Sequence, residues 1–139
     1  MSPAKKNHWL PLLILFAAVY LLVAIGFPNP PVASNEQFMW RLAAWLTCIG
    51  VFAIHIGLEH FRLRSSAGRA ALHVAMSVAL GALGLAAAAN IHALRAGAGN
   101  HRLRLLALVV WPIMTGMSAF LIALSLTSVL HLLRPNTRS

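Results

Sequence analysis

Negative charge is what this chain has least of: Asp and Glu together number 2 in 139 residues, and charged residues of all kinds make up 9%. Ordinary soluble domains carry about a quarter charged residues, so a water-exposed globular surface is excluded. Cysteine is almost as scarce. Cys48 stands alone within an apolar run, which excludes a disulfide framework and any Cys-based zinc or iron–sulfur motif. Missing as well are a long polar segment, an internal repeat and a long loop, so the sequence predicts neither an external ligand-binding domain nor a nucleotide site.

The 11 Lys and Arg residues bring the formal charge to +9, yet they occur in ones, twos and threes between apolar stretches. A nucleic-acid binder needs a continuous basic face; scattered cations suit anionic lipid headgroups instead. The expected partners are therefore the lipid bilayer and other membrane proteins or further copies of the chain, with no nucleic acid.

Hydrophobic residues account for 60% of the chain and gather in four runs, over 10–27, 42–61, 70–92 and 103–126. Each is long enough, at about 1.5 Å per residue, to cross a hydrocarbon core of roughly 30 Å. In lipid such segments must be helical, because no water is there to satisfy backbone groups. Lys5 and Lys6 ahead of the first run also resemble the start of a signal peptide. The run exceeds a signal core, however, and the nearest cleavage-like site, ending at Ala33, has Pro31 where a small residue is needed; an uncleaved helix is expected.

Pro28-Asn29-Pro30-Pro31 opens a stiff first loop, whereas the connections over 62–69 and 93–102 are short turns that force neighbouring helices antiparallel. Trp9, Trp40 and Trp45 fall near the expected helix ends, as interfacial anchors do, and Pro112 predicts a kink whose freed carbonyls Thr115 and Ser118 can satisfy. Lys5, Lys6, Arg62, Arg64, Arg69, Arg134 and Arg138 lie on one side of the membrane in this topology, against Arg41, Arg95, Arg102 and Arg104 on the other. Seven against four favours both termini inside. The expected fold is all-α: a single-domain, integral membrane, antiparallel four-helix bundle with cytoplasmic termini in an inner membrane.

Chemistry concentrates on the second helix. Cys48, His55, Glu59 and Arg62 share one face, where Glu59 can pair with Arg62 or reach back to His55, while His60 points about 100° away. The third helix carries a stripe of Ser77, Gly81, Gly84 and Ala88 between His73 and His92, small enough for close helix approach. Antiparallel pairing across Ser65 and Ser66 brings His73 to the depth of Glu59 and Ser77 to that of His55. His55, Glu59 and His73 form a candidate metal or haem site, a proton or cation site, or simply hydrogen-bonded glue between helices. The spacing of His55, Glu59 and His60 is not that of a zinc-protease helix, and no catalytic residue is assigned. His92 and His131 are expected at opposite interfaces. Arg62, Arg64 and Arg69 are candidate contacts for anionic headgroups.

The segment His-Ile-Gly-Leu-Glu-His-Phe-Arg-Leu-Arg from His55 to Arg64, with Asn90-Ile91-His92 ending the following helix, resembles that of uncharacterised small four-helix bacterial membrane proteins. The resemblance implies a bacterial membrane location over most of the chain and brings no catalytic residue, substrate or cofactor. The functions open at this level are a non-enzymatic accessory or structural component, a haem- or metal-binding redox subunit, and a small proton- or cation-coupled transporter.

Overall fold

A computed structural model describes residues 9–27, 35–63, 65–95 and 101–133, with the side chain of His101 excepted. Four helices account for nearly all of them: α1 (Trp9–Gly26), α2 (Asn35–Gly57) continued by a π turn (Leu58–Arg62), α3 (Ala67–Arg95) and α4 (His101–Leu132). All four are long and apolar enough to cross a membrane, which makes this a multi-pass membrane protein. The Pro28–Pro31 loop and Arg64 lie outside the described residues.

The helices extend beyond the apolar runs because polar residues at interfaces still form helix. Thus α2 begins at Asn35, ahead of the run starting at Leu42, and α4 continues to Leu132. One consequence corrects an expectation: Trp45 is not at a helix end but well inside α2. Trp40 does sit near the end, edge-on to Phe27 at 6.3 Å.

The central element is α3. It runs beside α1 in the same direction: Trp9 meets His73, Leu13 meets Ser77, and Tyr20 and Leu21 meet Gly81 and Gly84. Against α4 it runs antiparallel, from Thr127 at Ala67 through Gly116 at Ala79 to Asn90 at Arg104. The approach is close because the facing residues are small. A Cβ built on Gly81 would stand 2.8 Å from the Tyr20 Cβ and 3.2 Å from the Ala17 carbonyl oxygen. The Gly81/Gly84 seam is thus consumed inside the chain by α1, not offered outward, and Ala88 falls on the exposed side of α3.

Helix α2 is held differently. Gln37 is buried at one end and His55 and Ile56 at the other, with nothing buried between. Ile56 joins Ala71, Val74 and Ala123 in a small apolar core where α2, α3 and α4 converge. Elsewhere the surface is apolar, with Ile14, Phe38, Leu46, Leu106 and Leu121 all exposed. Such a coat suits hydrocarbon and would aggregate in water.

Pro112 lies inside α4, as expected. The Thr115 hydroxyl donates to the Trp111 and Pro112 carbonyls, and that of Ser118 to Met114. None of these is the Leu108 carbonyl, the one that a normal residue at Pro112 would have bonded.

Candidate functional site

Polar side chains gather where α1, α2 and α3 meet. Glu59 is 1% exposed, and its Oε1 accepts a hydrogen bond from Nδ1 of His73 at 3.0 Å, so the expected juxtaposition of these two residues is present. The expected links from Glu59 to Arg62 and His55 do not form: Arg62 is exposed, and both nitrogens of His55 lack a hydrogen-bond partner. His55 turns instead toward α1, where its ring stacks on Phe16 at 3.9 Å and 4°, with Tyr20 tilted 6.5 Å away. Trp9 covers His73 in the same manner at 4.9 Å and 5°. The two histidines of the candidate metal set are therefore each capped by an aromatic ring of α1. Ser77 is fully buried and donates to the carbonyls of Leu13 and His73.

The π turn alters the geometry of the end of α2. Its wider winding, with the Leu63 amide donating to the Leu58 carbonyl at 3.1 Å, carries both Glu59 and His60 into the interior. His60 is 3% exposed, so it is buried as well as Glu59, although a regular helix sets the two about 100° apart. Its ring lies 5.0 Å from that of His131 at 71°, so the end of α4 joins this region as well. A straight 100° progression along the sequence has no means of revealing this.

Several of the buried polar atoms have no hydrogen-bond partner: the Tyr20 hydroxyl, both His55 nitrogens and Glu59 Oε2. In an apolar medium each such group costs on the order of a few kcal/mol. Among the described residues no three His, Cys, Asp or Glu side chains converge as a metal site would require. Clefts beside Asn90 and Trp111, beside Pro112 and Gly116, and between α2 and α4 are lined by neither His55 nor His73.

The largest of these clefts, about 390 Å³, opens between α2 and α4 at mid-depth. Trp45, Cys48 and Phe52 form one wall, Ala119 and Leu126 the other, and Tyr20 closes the inner side. Of these the sequence singles out only Cys48, on the polar face of α2, and Trp45, as an interfacial anchor. The one periodic hint is on α1, where buried Leu13, Phe16 and Tyr20 recur at helical spacing, but α1 is so uniformly apolar that this face does not stand out. Arg69 is exposed and its Nε donates to the Ser66 hydroxyl at 3.3 Å; Arg62 is likewise exposed, as headgroup contacts require.

Comparison with protein-family models, with curated proteins and with solved structures found no match.

Proposed function

We propose that this chain is a non-enzymatic inner-membrane component, an antiparallel four-helix bundle with both termini cytoplasmic, that acts by binding another constituent of the bilayer between α2 and α4. The observation that carries this reading is the middle of α2. From Phe38 to Ile54 it buries no residue, while its inner side borders a cleft of about 390 Å³. A helix fully buried only near its ends leaves apolar contact surface to be covered by something else in the membrane. The excess of Lys and Arg on the side of the termini supports the orientation, and exposed Arg62 and Arg69 suit anionic headgroups there.

Cys48 supplies the test, because it is the sole thiol and lines the cleft. Its alkylation by N-ethylmaleimide in native membranes is expected to be several-fold slower than in delipidated detergent solution. The reference is a thiol placed by Leu46→Cys in a Cys48→Ser background, since Leu46 is 60% exposed and away from the cleft. Equal membrane-to-detergent ratios at the two positions would refute occupancy of the cleft.

The unpartnered His55 nitrogens and Glu59 Oε2 favour a second reading, a proton- or cation-coupled transporter with these groups as its titratable site. Proton flux into vesicles carrying the purified chain should then fall at least tenfold in Glu59→Gln. Flux indifferent to that change would remove the residue from any transport step.

A further inference from the structure

His73 differs from His55 in having one nitrogen open to its surroundings. Both nitrogens of His55 are buried. The His73 side chain keeps 14% of its surface exposed; its Nδ1 is bonded to Glu59 Oε1 at 3.0 Å, while Nε2 has no hydrogen-bond partner and is not buried. An ionised carboxylate only accepts, so the proton of the neutral ring sits on Nδ1 and Nε2 presents a free lone pair. The ring is fixed in this attitude. Trp9 stacks on it at 4.9 Å and 5°, and the Ser77 hydroxyl bridges the carbonyls of His73 and Leu13, tying α3 to α1 at this level. His73 stands about 9 Å along α3 from Ala67, and Trp9 opens α1, so both lie near the interface, where water reaches. Glu59 Oε2, by contrast, is buried with no partner. An open imidazole nitrogen, a bonded one and a sealed carboxylate thus stand in series.

We propose that His73 is the port through which Glu59 takes up and releases protons, so that the ion handled at this site is the proton and not a metal cation. This rests on the second reading above, in which Glu59 titrates, and adds the identity of the ion and its route. A metal cation would need several ligands around one point, and this site opens a single nitrogen. A proton needs only one lone pair. It adds to Nε2 from the water side, and the proton already on Nδ1 crosses the hydrogen bond to Oε1 of Glu59. The pair is left as a neutral imidazole protonated at Nε2 and a neutral carboxylic acid, with one negative charge removed from the interior; release is the same path reversed. The groups around the pair do not offer a rival port. From α1 it meets Trp9, which does not titrate; on α2 His55 is sealed against Phe16; His60, next in the π turn, is buried against His131 of α4; Arg62 and Arg69 are exposed.

The test follows proton uptake by the full chain in phosphatidylcholine nanodiscs after a light-triggered acid jump, read by time-resolved infrared spectroscopy. Glu36 and Glu59 are the only acidic side chains, so the C=O band of protonated Glu59 is assigned in a Glu36→Gln background by its loss on adding Glu59→Gln. His73→Asn keeps an amide N–H where Nδ1 stood and lacks Nε2. In that variant the band should rise roughly tenfold or more slowly to the same final height, and added imidazole should restore much of the rate. His73→Gln, which puts a non-basic amide in place of Nε2, should be equally slow and serves if the first variant does not fold. A Glu59 band that never appears at any pH at which the protein stays folded, or that rises as fast in these variants as in the wild type, overturns the proposal. Vesicle flux separates it from the transporter reading: a band dependent on His73 in a chain that carries no net flux supports the port and removes transport.

Discussion

The half of the molecule holding the start of α1, the end of α2, the start of α3 and the end of α4 is packed, while the opposite half is comparatively open. In the first half Phe16, His55, Glu59, Val74, Ser77, Ala123 and Thr127 are all buried, the Glu59–His73 pair ties α2 to α3, and the Thr127 hydroxyl reaches the Ala67 carbonyl. In the second, burial is reduced to residues such as Gln37 and Ala86, and the Asn90 amide bonded to the Arg104 carbonyl links α3 and α4. The helices are apolar in both halves. The difference teaches that apolarity does not assemble helices in lipid, since lipid tails solvate Leu as well as another helix does; small residues and buried polar contacts do that work.

If polar pairing closes the packed half, His73→Ala should be the most damaging change, because Glu59 would be left fully buried with no partner. A loss of about 3 kcal/mol is expected from equilibrium unfolding in bicelles. A loss under about 1 kcal/mol would mean that the pair is incidental to closure.

Glycines sharpen the comparison in descending order. Gly81→Ala sets a methyl 2.8 Å from the Tyr20 Cβ and 3.2 Å from a backbone oxygen, so α1 must shift, at a cost of about 1–3 kcal/mol. Gly84→Ala meets only the end of the Leu21 side chain at 3.1 Å, which can move, and should cost less than Gly81→Ala. Gly50→Ala in the unburied stretch of α2 meets nothing within 4 Å and should be neutral or stabilising by up to about 1 kcal/mol through helix propensity. Similar losses at Gly81 and Gly50, measured the same way, would erase the distinction between the α1/α3 seam and the loosely held α2.

The juxtaposition of Glu59 and His73 was legible because it needs only a short turn and equal helical rise on either side of Ser65 and Ser66. The partner of His55 was not, since Phe16 lies across the bundle on a helix whose buried face carries only the Tyr20 hydroxyl as a polar mark. The burial of His60 beside Glu59 was not legible, because a π turn adds a residue without any sequence mark that breaks the 100° count. Trp45 was assigned to an interface because apolarity marks where lipid begins, and helix α2 starts earlier, at Asn35.

By itself the sequence determined that four helices are long and apolar enough to cross the bilayer, since backbone hydrogen bonding in hydrocarbon leaves no alternative for such runs. It also determined that the costly polar groups cluster near one turn. Only the tertiary structure decided that α1 caps both histidines, that the glycine seam is spent on α1, and that a cleft opens beside Tyr20 and Cys48. The physical reason is that lipid and protein interior are alike in polarity, so hydropathy carries no record of which apolar face meets which.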